Sequence, residues 1–212
     1  PGTLAASIVS SPALAEVARQ YGLAYVDTLT GFKWVSRVPG LSYGYEEALG
    51  YLVDPVKVRD KDGISAAVEF LGLVADLKAA GRTVTDQLAD FAGRFGAFAS
   101  AQVSIRMTDL TDIPRLMDSL RQSPPERIGA AVVRRIDDFA QGFAGLPASD
   151  ILRFWLEDGS RVIVRPSGTE PKVKVYIDAS SVDGTPTYRQ AVAQATVDRL
   201  ETDMRQLLRE VS

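Results

Sequence analysis

The sequence has 212 residues, 46% of them hydrophobic, and a net charge of −3 from 24 basic and 27 acidic side chains. A chain of this length can bury one or two hydrophobic cores. Its nearly balanced charge lacks the strong excess of basic residues that is typical of proteins that bind nucleic acids or anionic membranes. It contains no cysteine and no histidine, which excludes disulfides, a thiolate nucleophile and Cys/His zinc sites. No apolar run approaches the ~20 residues that cross a bilayer, and we expect a cytoplasmic protein.

The first part of the chain alternates between strands and helices. Its predicted elements are a strand at 5–10, a helix at 13–21, a strand at 23–28, a short helix from 32 to 38, and helices at 64–80 and 83–95. Strand–helix–strand units build parallel sheets. We therefore predict an α/β domain over residues 1–98, with a parallel or mixed sheet and flanking helices, truncated at its N terminus.

Beyond Gly96 the predicted strands mostly follow one another. The elements are a strand at 101–107, a helix at 113–121, a strand at 128–136, a hairpin of 152–156 and 161–164, a strand at 173–177 and a helix at 188–211. Strands that are adjacent in sequence usually pair in antiparallel fashion. Residues 99–212 are thus predicted to form an α+β domain with an antiparallel sheet packed on helices.

Residues 165–172, Arg-Pro-Ser-Gly-Thr-Glu-Pro-Lys, form a polar loop between two predicted strands. Arg165 offers a planar fork of donors that matches phosphate, Ser167 and Thr169 add hydroxyls, and Gly168 allows backbone N–H groups to approach an anion. Lys174 lies on the same face of the following strand as Lys172. The alternative is a hairpin turn beside a solvated sheet face.

Two further polar stretches suit a sugar. Thr30, Gly31 and Lys33 follow the second strand, where ligands gather in open α/β sheets. Glu46 and Glu47 lie in a predicted tight loop between glycines, where carboxylates could accept hydrogen bonds from vicinal hydroxyls. A solvated turn is the alternative for the two glutamates.

Lys61 precedes a helix whose predicted N-cap is Asp62. Burial and the cationic neighbours Lys57 and Arg59 would favour the neutral amine, which can transfer protons. The alternative role for Lys61 is phosphate binding without proton transfer.

In this order, the four stretches resemble segments of the α-D-phosphohexomutases, the family of phosphoglucomutases and phosphomannomutases. The loop at Arg165 is similar to the family's C-terminal phosphate-binding loop. Ala48 departs from the family's serine in the sugar loop, which leaves the preferred sugar open. The resemblance implies phosphate contacts at Arg165, Ser167, Gly168, Thr169 and Lys174, sugar contacts at Thr30, Gly31, Lys33, Glu46 and Glu47, and a general acid or base at Lys61.

The resemblance also implies four domains, of which this chain holds most of the third and all of the fourth. The sequence contains neither the family's phosphoserine stretch nor its Asp-rich magnesium loop. We therefore expect Mg²⁺ and the nucleophile to come from the missing N-terminal domains, the chain's expected partner, with no metal ligand in this chain.

The implied reaction interconverts 1-phospho and 6-phospho hexoses of mannose or glucose through a phosphoserine. A sugar bisphosphate is the intermediate and activator, a hexose phosphate is the small-molecule partner, and the chain alone is expected to be inactive. A phosphopentomutase, a sugar bisphosphate synthase and a non-catalytic sugar-phosphate-binding module remain alternatives.

Overall fold

The computed structural model describes residues 2–107, 109–168 and 170–211. The chain divides into two compact units, one of residues 1–97 with 182–189 and the other of residues 98–181 with 190–212. Within the described ranges, no helix is both long and apolar enough to span a membrane.

The first unit is built on a four-stranded sheet with the order β2-β1-β3-β4. β1 pairs in parallel with β2 and with β3, whereas β4 is antiparallel to β3. The elements are β1 Thr3–Ser7, α1 Ala13–Tyr21, β2 Ala24–Thr28, α2 Phe32–Val35, β3 Leu41–Glu46, β4 Gly50–Leu52, α3 Gly63–Ala79 and α4 Val84–Phe95.

Two helices of this unit begin at capping residues that can be recognised in the sequence. Asp62 accepts hydrogen bonds from the backbone N–H groups of Ile64 and Ser65 at 3.0 and 3.2 Å, which confirms it as the N-cap of α3. Thr83 and Asp86 form a reciprocal capping box at the start of α4. These side chains satisfy N–H groups that the helices leave unpaired.

Residues 44–50 are not the glycine-bounded loop that the sequence predicts. Gly44 lies within β3 and Gly50 begins β4, so the two strands form a hairpin. A Cβ atom at Gly44 would collide with Val35, and one at Gly50 would collide with the Phe32 ring. The glycines therefore allow α2 to pack closely on the sheet, a tertiary requirement that turn propensity does not reveal.

The second unit is built on a six-stranded sheet with the order β5-β10-β9-β8-β7-β6. The successive pairs from β10 to β6 are antiparallel. The elements are β5 Ala97–Arg106, α5 Asp112–Gln122, β6 Arg127–Ile128, β7 Ala131–Asp138, β8 Leu152–Leu156, β9 Arg161–Pro166, β10 Lys172–Ser181 and α6 Pro186–Val211. The predicted fold class, an α/β domain followed by an antiparallel α+β domain, is confirmed.

The two faces of this sheet are buried in different ways. One face packs Phe154, Val164 and Val175 with residues of α5 and α6 into an apolar core. On the other face Arg161 donates from Nε to Asp178 at 2.8 Å, and both side chains are almost fully buried. Ser100 donates to the other oxygen of Asp178 at 2.6 Å. A buried charge is tolerated when an ion-pair partner and hydrogen bonds satisfy it, and both oxygens of the Asp178 carboxylate accept such contacts.

The predicted strand at 128–136 is instead two strands, β6 and β7, joined by a turn at Gly129. This glycine has a φ of +55°, a left-handed conformation that favours glycine. A Cβ at this position would overlap the carboxylate of Asp203 on α6. The turn therefore needs glycine for its backbone and for its packing.

Replacing Gly129 with alanine should destabilise the protein by about 1–3 kcal/mol more than Gly145→Ala. Gly145 also has a positive φ, +84°, but its Cβ would meet nothing within 4 Å. The difference between the two variants therefore isolates the collision with Asp203. Urea unfolding followed by circular dichroism measures it, and equal midpoints would show that the contact is unimportant.

Candidate functional site

The carboxyl ends of β1, β2 and β3 lie along one edge of the first unit's sheet. The chain leaves β1 for β2 on one side and enters β3 on the other side of β1. Such a reversal opens a crevice beyond the strand ends, where ligands bind in open α/β sheets. Ser10, the segment from Thr30 to Lys33, and Glu46 and Glu47 follow or end these strands, so the fold gathers them at this crevice.

Glu46 is fixed directly to a second predicted site residue. Its Oε1 accepts a hydrogen bond from the backbone N–H of Gly31, the N-cap of α2. Gly31 has a φ of +110°, which only glycine adopts readily. The contact brings the sugar-loop candidate Glu46 and the Thr30–Lys33 segment together.

Glu47 is held by two buried serines that the sequence analysis missed. Ser10 Oγ donates to Glu47 Oε2 at 2.9 Å, and the Glu47 backbone N–H donates to Ser10 Oγ at 3.2 Å. The hydroxyls of Ser7 and Ser10 lie 2.8 Å apart, and both residues are at most 2% exposed. In the sequence, these contacts were indicated only by two serines at the end of an otherwise apolar predicted strand. Glu47 is therefore an anchor of the hairpin turn.

The turn itself carries backbone strain. Leu49 has a φ of +56° and is 80% exposed, an unusual combination for a large aliphatic residue. Ala48, where the resembling family carries serine, is exposed in the same turn. Strained conformations of this kind persist where the surroundings fix them, here by the Glu47–Ser10 contacts on one side and β4 on the other.

Lys61 contacts the same region through Phe32. Its Nζ lies 4.9 Å from the centre of the Phe32 ring and 2.9 Å from Asp60 Oδ1. The hydrogen bond from Lys61 lowers the pKa of Asp60. The expected burial is wrong, because the Lys61 side chain is 49% exposed. An aromatic face and a carboxylate are both attractive neighbours for a cationic side chain.

The remaining residues of the Thr30–Lys33 segment lie at the mouth of the crevice. Thr30 is half-buried and Lys33 is exposed, with its Nζ 5.5 Å from the centre of the Trp34 ring. Phe32 is buried and packs α2 on the sheet. The short helix thus presents Lys33 to solvent while Phe32 anchors it to the sheet.

The predicted phosphate loop closes the hairpin between β9 and β10 in the second unit. The strand register puts Arg165 directly opposite Lys174, and the Ser167 N–H donates to the Lys172 carbonyl at 2.8 Å. Gly168 is exposed, its φ is not in the left-handed region, and a Cβ there would meet nothing within 4 Å. The fold therefore does not require glycine at 168. Thr169 lies outside the described residues.

Basic side chains concentrate at this end of the sheet. Lys172 donates to Glu170 at 2.7 Å and so lowers the pKa of that carboxyl, with smaller contributions from Arg106 and Lys174. Like charges directly opposite each other in a sheet are unfavourable, as Arg165 and Lys174 are here. An anion bound beside this pair would offset the repulsion.

Within the described ranges, no group of three or more acidic, histidine or cysteine side chains is arranged as metal ligands.

Two family models match the chain. One described as "Phosphoglucomutase/phosphomannomutase, alpha/beta/alpha domain III" covers residues 1–95, and one described as "Phosphoglucomutase/phosphomannomutase, C-terminal domain" covers residues 55–195. The order of the two models along the chain follows the order of the two structural units.

Curated relatives are considerably longer than this chain. A Haemophilus influenzae protein named "Probable phosphomannomutase" is 54% identical over 182 residues, which is 86% of this chain and 37% of the relative. A Schizosaccharomyces pombe protein named "Probable phosphoribomutase" is 32% identical over 81% of this chain and 33% of its own length.

The fold also resembles a solved structure. The crystal structure of parafusin, a phosphoglucomutase from Paramecium, matches 96% of this chain and 38% of that chain, with a TM-score of 0.66 and 20% identity. This similarity concerns the fold alone.

We predict that Ser10→Ala destabilises the first unit by about 1–3 kcal/mol, because it leaves the Glu47 carboxylate without its closest side-chain donor. Ser42→Ala is the control, since Ser42 is an exposed serine of the same sheet, and it should change stability by less than about 0.5 kcal/mol. Urea unfolding followed by circular dichroism compares the two. Similar small losses would mean that Ser10 does not anchor the turn.

Proposed function

Because this chain belongs to the phosphoglucomutase/phosphomannomutase family, we propose that it supplies the sugar- and phosphate-binding part of a phosphohexomutase. The whole enzyme interconverts 1-phospho and 6-phospho hexoses of mannose or glucose. An enzyme phosphoserine donates its phosphoryl group to a sugar hydroxyl, and the other phosphate of the resulting bisphosphate returns to the serine. That sugar bisphosphate is both intermediate and activator.

The chain spans 37% and 33% of the two curated relatives. We therefore place the phosphoserine and the Mg²⁺ site in the part of the enzyme outside this chain. When bound there, Mg²⁺ would neutralise charge on the transferring phosphoryl group. This chain alone is proposed to bind sugar phosphates weakly and to catalyse nothing.

The proposal rests most directly on the cross-strand pair of Arg165 and Lys174. A guanidinium can bind two phosphate oxygens at once, and charge-assisted bonds are about twice as strong as neutral ones. Ser167 adds a hydroxyl, and the open space around Gly168 lets an anion approach the backbone. These residues, with Thr169, bind the non-reacting phosphate, and that binding energy orients the sugar for in-line transfer.

The crevice of the first unit suits the sugar ring. Glu46 accepts hydrogen bonds from ring hydroxyls while its contact with the Gly31 N–H fixes its orientation. Thr30 and Lys33 contribute further polar contacts from the mouth of the crevice. Glu47 supports the turn through Ser10, so its role in sugar binding is indirect.

Lys61 acts beside the transferring phosphoryl group. Its Nζ lies beside the Phe32 ring and Asp60, and a lysine side chain can donate a proton to a leaving oxygen or bind phosphate. We therefore propose Lys61 as a general acid, with phosphate binding as its second contribution.

A phosphopentomutase is the second candidate. The Schizosaccharomyces pombe relative carries the name "Probable phosphoribomutase", and Ala48 removes the hydroxyl that the resembling hexose enzymes place in the sugar loop. The phosphate clamp at Arg165 would serve either sugar, so this choice depends on the first unit.

We expect Arg165→Ala to weaken phosphate-ester binding by about 10- to 100-fold, since a hydrogen bond to a charged group contributes roughly 1.5–3 kcal/mol. Arg134→Ala removes the same charge from an exposed arginine of β7 and should leave affinity unchanged. Titration calorimetry with glucose 1-phosphate, mannose 1-phosphate and inorganic phosphate measures the effect. Equal losses in both variants would attribute binding to net charge and reject the clamp.

Substrate assays on the full-length enzyme separate hexose from pentose. We expect kcat/KM for mannose 1-phosphate or glucose 1-phosphate to exceed that for ribose 1-phosphate by about tenfold or more, because the chain is 54% identical to the probable phosphomannomutase and 32% identical to the probable phosphoribomutase. The opposite ratio would favour the phosphopentomutase. If the full-length protein had no mutase activity, the remaining hypothesis would be a non-catalytic sugar-phosphate-binding module.

A further inference from the structure

Helix α3 exposes an unusually apolar surface. Ile64, Val68, Phe70, Leu71 and Leu73 are between 40% and 81% exposed, whereas Leu77 is the buried residue of this helix. Soluble proteins rarely leave a contiguous apolar patch of this kind uncovered, and such a patch usually marks an interface.

Helical geometry divides this surface into two faces. Ile64, Val68 and Leu71 follow the i, i+4, i+7 spacing and form one stripe. Phe70 and Leu73 lie on another face and line a groove of about 620 Å³. Ser65, Glu69 and Asp76 form a narrow polar strip along one side of the helix between the two.

The groove lies between α3 and the hairpin of β3 and β4. Tyr43, Leu49, Tyr51 and Val53 form its other wall. Burial raises the pKa of Tyr43 to about 12, with smaller contributions from the neighbouring Tyr45 and Tyr51. The groove lining is mostly apolar, with Glu69 as its charged residue, and Leu49, Phe70 and Leu73 within it are at least 40% exposed.

We propose that the stripe of Ile64, Val68 and Leu71 is the docking face for an apolar helix from the part of the longer protein that precedes this chain. The inference rests on family membership and is independent of the proposed catalytic activity.

Three observations favour this occupant. The matched family model is the third domain, and the curated relatives are more than twice as long as the matched region. The model is described as alpha/beta/alpha, an architecture with helices on both faces of a sheet. The small exposed residues Gly72 and Ala75, one turn beyond Val68 and Leu71, would let a second helix approach closely, since the spacing between packed helices depends on side-chain size.

The lack of cysteine makes the proposal directly testable. Val68→Cys places a thiol in the apolar stripe, and Asp76→Cys places a matched thiol on the exposed polar strip of the same helix. Both positions are exposed in this chain, so neither change should disturb its folding. Labelling with a maleimide, resolved peptide by peptide in a mass spectrometer, separates these thiols from any cysteine elsewhere in the full-length protein.

In the native full-length protein, the Val68→Cys thiol should label about 100-fold more slowly than in the denatured protein, while the Asp76→Cys thiol should label within about tenfold of its denatured rate. In the 212-residue chain both thiols should label rapidly at every protein concentration. Rapid labelling of the Val68→Cys thiol in the full-length protein would overturn the proposal.

A second copy of the chain is the competing occupant. In that case the Val68→Cys thiol would become protected in the 212-residue chain as its concentration rises, which would also overturn the proposal. Labelling does not depend on turnover. If the full-length protein were inactive but protected the Val68→Cys thiol, the proposed function would be rejected and the proposed docking face would be supported.

Discussion

The crevice at the carboxyl ends of β1, β2 and β3 depends on the hydrogen bond from the Gly31 N–H to the Glu46 carboxylate. It joins the loop after β2 to the end of β3, although β1 separates these strands in the sheet. A carboxylate used for recognition must be oriented before the ligand arrives, otherwise binding must also order a flexible side chain. Gly31 provides that orientation because its φ of +110° aims its N–H at the carboxylate.

The second anchor has a different physical origin. Glu47 is held by Ser10, which itself contacts Ser7 at the end of β1. Adjacent glutamates thus contact different partners: Glu46, at the end of β3, contacts the Gly31 N–H, and Glu47, the first residue of the turn, contacts Ser10. The change from strand to turn between the two residues lets their side chains serve different parts of the chain.

Local chemistry made several of these features predictable. The N-cap at Asp62, the capping box at Thr83 and the shared face of Lys172 and Lys174 follow from residue type and spacing alone. The loop at Arg165 could be located from its composition and its position between two apolar strands. These signals all act within a few residues of chain.

The unpredicted features depend on contacts between distant parts of the chain. Gly44 and Gly50 resemble loop glycines until α2 is seen to pack against them. The turn at residue 129 leaves no room for a Cβ because Asp203, which lies far along the chain on α6, is so close. Lys61 was expected to be buried among cations, but the fold places it beside Phe32 and Asp60. No pattern in neighbouring residues specifies such partners.

The phosphate loop shows how a fold can maintain an unfavourable charge arrangement. Arg165 and Lys174 face each other at one end of the β9–β10 pair, and farther along the same strands Arg161 and Asp178 form a buried ion pair. The complete contacts of Asp178 help to fix the register of both strands, so the two cations cannot separate by a shift of the strands. Arg165 Nε also donates to the Pro166 carbonyl at 3.4 Å. An anion bound beside this pair would lower the repulsion between the two cations, and that gain would add to its direct attraction to the guanidinium.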